Sequence, residues 1–148
     1  MAFAAVSARE GTEQMVVLNA GDAGGAVRAS SASPGRFAPV RLGTDSLVDG
    51  DEASPVPIRA ARRLGARVVI AVDVSAHRGS TPLDAPAAWI VKDERRAAKV
   101  RAEAGEADVL LHPDLGYYAG HSAAYRERVI AIAARATRER LGEIRAAI

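Results

Sequence analysis

The chain has 148 residues, about half of them apolar and a quarter charged, which suits a single globular domain with one core and argues against disorder along its whole length. A formal net charge of +2 with no concentrated basic stretch argues against nucleic-acid binding, and the lack of cysteine removes disulfides, thiol nucleophiles and cysteine-ligated metals. The longest apolar run, Val68 to Val74, is interrupted by Asp73 and is far too short for a membrane span; with no basic-then-apolar leader, the expected location is cytoplasmic.

In chain order, Ala2 to Ser7 and Gln14 to Asn19 are short apolar runs joined by Arg-Glu-Gly-Thr, which predicts a hairpin with Gly11 in its turn. Asp22 is placed to cap a short helix reaching Ser31, before Ser33-Pro34-Gly35 stops it. Phe37 to Leu42 and Ser46 to Val48 read as extended pieces around a turn at Gly43. A helix from about Pro57 to Leu64, with Gly65 past its end, leads into Arg67 to Val74, an unbroken β-branched run of the kind buried on both faces of a parallel sheet.

A polar stretch, Ser75 to Pro86, precedes a helical segment from about Ala88 to Ala104 and a second buried run, Asp108 to His112; strand, helix and strand predict a right-handed βαβ unit. The last helix is predicted from Val129, Ile130, Ala133, Thr137, Leu141, Ile144 and Ile148, which share one face at helical spacing and read as core-facing.

Several residues invite chemistry. Gly120-His121-Ser122 suggests a nucleophile elbow, but position 124 is Ala, no apolar strand runs into Gly120, and no Asp or His follows Ser122, so Ser122 reads as a helix N-cap. His77, His112 and His121 show no metal-ligand spacing, and Gly21 to Gly25 fits neither dinucleotide nor P-loop patterns, so no metal or cofactor is expected. Asp73, at the carboxyl end of a strand expected in a parallel sheet, suits either a site or the binding of loop amides. Asp49, Asp51 and Glu52 crowd one tight turn; mutual repulsion there suits a general base, while full solvation would make them plain turn residues. Trp89, Tyr117 and Tyr118 suit either an acyl pocket or packing between the crossover helix and the following loop.

Two segments together carry a resemblance. DAGGAVRASSASPGRFAPV, Asp22 to Val40, is similar to the patatin-like phospholipase pattern A-V-R-A-S-x-A-x-P-G-x-F-x-P-V, and LVDGDEASPVP, Leu47 to Pro57, resembles that family's D-G-[GA] element and its trailing prolines. Ala60 to Ala66 and Val68 to Ser75 continue the likeness, in order and spacing, across roughly residues 3 to 75.

The resemblance implies a partial three-layer α/β fold, a mostly parallel sheet flanked by helices, with residues 1–148 forming the C-terminal half of one patatin-like domain. It also implies a serine-aspartate dyad that hydrolyses acyl esters in lipids or small molecules, with Asp49 as the base and Gly50 letting the chain turn beside it. Asp51 stands where the family has Gly or Ala. The family's G-x-S-x-G nucleophile precedes the matched region, so the expectation is a chain inactive by itself, whose partners are an N-terminal half, a second copy or transiently a membrane surface. The alternatives are a non-catalytic binding remnant of the fold and a truncated product.

Overall fold

Short turns between successive apolar runs leave those strands only one way to pair, antiparallel. The computed structural model describes residues 3–148, which fall into two compact units divided between Ala60 and Ala61. In the first, β1 (Ala5–Arg9) and β2 (Met15–Leu18) form the expected hairpin, with Gly11 at φ +72 in its turn; Ala2, the expected start of β1, lies outside the described residues. β3 (Val40–Leu42) and β4 (Asp45–Asp49) form a second hairpin, and β4 also pairs with β1, giving an antiparallel sheet in the order β2-β1-β4-β3.

Helix α1 (Ala23–Ser30) starts where its cap demands: the Asp22 carboxylate accepts the amides of Gly24 and Gly25. Its Ala29, with Ala32 just beyond it, forms a core with Val40 and Leu47, flanked by the half-buried Val16 and Leu18. Small residues on the helix side let its backbone approach the sheet closely. Side chains alternate along a strand and directly opposed residues share a face, so Leu47, Asp49, Ser7 and Val16 all lie on the side that α1 covers.

In the second unit, β5 (Ile70–Val72) and β6 (Val109–Leu111) are parallel, joined through α3 (Ala87–Ala104), as the βαβ reading expects. The molecule is thus mixed α/β, but among the described residues the larger sheet is antiparallel and the parallel sheet has two strands, so a mostly parallel sheet is not what these residues form. The regular part of β5 is shorter than the apolar run, and its faces differ. Val69, Ala71 and Asp73 are buried, whereas Ile70, Val72 and Val74 are 40%, 51% and 60% exposed, against the expectation of burial on both faces.

The predicted last helix divides into α4 (Ala123–Glu139), capped by Ser122 as expected, and α5 (Leu141–Ala147). Arg140 breaks it. Its guanidinium pairs with Glu143 one turn ahead while reaching toward the Leu110 carbonyl of β6 at 3.4 Å, and its backbone leaves helical geometry at φ -102, ψ 7. Nothing on either helix is fully buried; Val129, Ala133, Thr137 and Ile144 are half-buried, whereas Ile130 and Ile148 face solvent. The expected core-facing stripe is therefore a partly covered one.

α2 (Ile58–Arg63) follows Pro57, and its Arg62 ties the start of β5 to that of β6: it donates to the Ala66, Arg67 and Glu106 carbonyls and to Asp108 Oδ2 at 2.6 Å. Asp108 Oδ2 also accepts the Val69 amide at 2.7 Å. That backbone hydrogen bond, reinforced by Arg62, holds the Asp108 carboxyl below its ordinary value of 3.8. A carboxyl lowered in the folded state stabilises fully above its unfolded value and loses that contribution as pH falls through the folded one. Asp108→Asn is therefore expected to lower the melting temperature near neutral pH and to flatten its fall towards about pH 2, measured by thermal melts across that range.

Candidate functional site

The end of β4 brings three backbone events together. Asp49 pairs with Ser7 of β1, its own amide donates to the Ala32 carbonyl at 3.0 Å, and the chain then turns at once into a 3-10 turn, Gly50–Glu52. Asp49 caps that turn: its Oδ1 accepts the Asp51 amide at 3.0 Å. Its Oδ2 accepts the Ser33 hydroxyl at 2.8 Å. Both carboxylate oxygens are thus engaged by donors from different segments, and the side chain is half-buried.

The three acids of the turn consequently differ. Asp49 is the capping carboxylate, which accepts the Asp51 amide, while Asp51 and Glu52 lie within the turn itself. Ser33 is held in its turn by a reverse turn in which its carbonyl accepts the amides of Arg36 and Phe37 at 3.0 Å each. Opposite Asp49 on β1, the Ser7 hydroxyl is fully buried and has no hydrogen-bond partner among the described residues. A buried hydroxyl left in that state costs free energy, and it stands on the same sheet face as the Asp49 carboxylate.

Gly50 differs from its sequence reading. Its φ is not positive, so left-handed backbone is not the reason for glycine there. A Cβ at this position would stand 2.2 Å from the Val6 carbonyl oxygen and 2.8 Å from its carbon, so the residue is needed for close approach of two backbones.

Asp73 takes the loop-binding option: it is buried, and its Oδ1 accepts the Ser75 amide at 2.9 Å. Beside it stand His77 and His112, thirty-five positions apart in the sequence and neighbours in the fold. Their rings stack with centroids 4.0 Å apart, His77 Nε2 donates to the His112 carbonyl, and His112 Nε2 donates to the Ser75 carbonyl and lies 3.7 Å from Asp73 Oδ2. The signal was present in the βαβ pattern, since parallel neighbouring strands must deliver the residues after them to one end. Among the described residues no group of three or more histidines or acids is placed to hold a metal.

Trp89, Tyr117 and Tyr118 form one aromatic cluster, with Tyr117 and Tyr118 edge to face at 5.1 Å. Tyr117 donates its hydroxyl to Asp93 of α3 at 2.8 Å; burial, then that carboxylate, raises its pKa above the ordinary 10.0. Tyr117 also lines a cavity of about 320 Å³ with Val74, Arg96, Leu115 and Tyr125, so packing and lining coexist in one side chain. Compared with models of known protein families, the chain matches none. No helix among the described residues is long and apolar enough to cross a membrane.

The contact at Gly50 gives a direct test. Gly50→Ala forces the β4 turn away from Val6 and is expected to cost about 3 kcal/mol, at the upper end for forced overpacking, read from denaturant unfolding midpoints.

Proposed function

We propose that this chain is the dyad-aspartate portion of a patatin-like serine-aspartate acyl hydrolase, with Asp49 as the base and the nucleophilic serine supplied by another segment. The observation that carries the reading is the arrangement of Asp49: a half-buried carboxylate at a strand end, fixed by two donors on a turn that only glycine permits. A carboxylate fixed this way suits accepting a serine proton, because little reorganisation is needed when the proton moves. On this reading the partial three-layer fold is completed by further parallel strands, the substrate is an acyl ester of a lipid or small molecule, and the location is cytoplasmic. Nothing in the proposed step uses a metal or cofactor.

The experiment mixes this chain with the N-terminal half of a family hydrolase that carries G-x-S-x-G and measures ester turnover. Turnover is expected only in the mixture. Asp49→Asn should abolish it, by two to four orders of magnitude as is usual for loss of a general base (~10²–10⁴-fold), while substrate binding stays nearly intact. Serine-dependent turnover by this chain alone would overturn the proposal.

A second reading, a binding remnant of the same fold, is favoured by one observation: Ile70 and Val72 of β5 and Val74 just beyond it leave an apolar row uncovered. Such a row attracts either a partner strand or a second copy. Val72→Lys is expected to lower self-association in sedimentation velocity. An unaltered, strictly monomeric wild-type chain would remove the basis of this reading.

A further inference from the structure

We infer that Ser33 is the positioning residue for the Asp49 carboxylate, an inference that rests on reading Asp49 as the dyad base. Two adjacent hydrogen bonds join these segments: Asp49 N–H to the Ala32 carbonyl at 3.0 Å, and Ser33 Oγ to Asp49 Oδ2 at 2.8 Å. The first fixes where the Asp49 backbone lies. The second fixes how its carboxylate is turned, because the Asp51 amide on Oδ1 leaves rotation about the last side-chain bond constrained at one oxygen only.

With both oxygens held, the plane of the carboxylate is set, and the remaining lone pairs point in defined directions. A base that must meet an incoming hydroxyl at hydrogen-bond distance gains most from that kind of restraint. Ser33 is well suited to supply it. It is clamped by the turn through Arg36 and Phe37, it is half-buried, and it leaves α1 at the point where Ala32 enters the core. The hydroxyl is used as a donor and is separated from Asp49 by sixteen positions, so the contact is made by the fold and not by local sequence. Ser7 forms a natural comparison: it faces the same side of the sheet opposite Asp49, yet its hydroxyl has no hydrogen-bond partner among the described residues.

The test is carried by the full chain, with the Asp49 side-chain carboxyl 13C resonance as readout. Ser33→Ala should displace that resonance, Ser33→Thr should restore it because a hydroxyl donor returns, and Ser7→Ala should leave it in place. In the wild-type chain a slowly exchanging Ser33 hydroxyl proton is expected, a reading that needs no variant to fold. In the mixture with a serine-bearing N-terminal half, Ser33→Ala should reduce kcat about tenfold with KM unchanged, and Ser33→Thr should recover most of it.

An Asp49 resonance indifferent to Ser33→Ala, one moved equally by Ser7→Ala, or a fast-exchanging Ser33 hydroxyl would each overturn the assignment. So would turnover in the mixture that Ser33→Ala leaves unchanged. A mixture inactive even with wild-type sequence counts against the hydrolase reading instead, and the carboxyl resonance then decides the Ser33 contact without it.

Discussion

The absence of one methyl group at position 50 governs the geometry of the first unit. The central strand β1 and the end of β4 meet through the Ser7 and Asp49 pairing, and the very next residue must cross the Val6 backbone where a Cβ would stand 2.2 Å from oxygen. Because glycine permits that crossing, the turn tightens at once and the Asp51 amide returns to the Asp49 carboxylate. A looser turn would move Asp51, and with it one of the two donors that orient Asp49. Overpacking costs of about 1–3 kcal/mol are comparable with the ~1.5–3 kcal/mol net of a hydrogen bond to a charged group, so the steric contact and each bond to the Asp49 carboxylate carry similar weight.

Elements with local signals were legible in the sequence. The Asp22 and Ser122 caps and the first hairpin depend on residues within a few positions of one another, and the βαβ order follows from successive segments that each carry their own local pattern. What escaped was long-range. That β4 lies against β1 follows from chain topology, and that pairing makes the larger sheet antiparallel. The helix breaks at Arg140, whose guanidinium reaches toward a carbonyl thirty positions earlier, a contact that helical periodicity does not register. Asp49 stands out in the sequence as one of three acids on a tight turn, but nothing there points to Ser33, sixteen positions earlier, and only the α1 to β4 contact brings the two together.

Gly50 and Asp73 show how a correct choice of residue can carry a different cause. In the sequence Gly50 suggests a backbone freed to turn, whereas its role in the fold is to leave room for Val6. Asp73 stands at the carboxyl end of a parallel strand, where sites often form, but its burial demands donors and it spends Oδ1 on the Ser75 amide. The adjoining His77 and His112 turn their Nε2 atoms to backbone carbonyls, which closes the two strand ends together. Asp49 is the reverse case: its two donors orient the carboxylate without burying it fully, and a half-exposed acceptor can still meet an incoming group.

The strand β5 presents the opposite problem, a sequence with more apolar character than its surroundings use. Val68 to Val74 is continuous, as a strand covered on both faces would be, yet only the Val69, Ala71 and Asp73 side is buried. Covering a Val or Ile side chain fully is worth about 1.5–3 kcal/mol, so the roughly half-exposed Ile70, Val72 and Val74 each leave on the order of 1 kcal/mol unrealised. Among the described residues its parallel sheet has two strands, so each strand there also keeps one edge without a strand partner. Edge and face lie on the same short strand, and a single added strand with its covering helix would satisfy both.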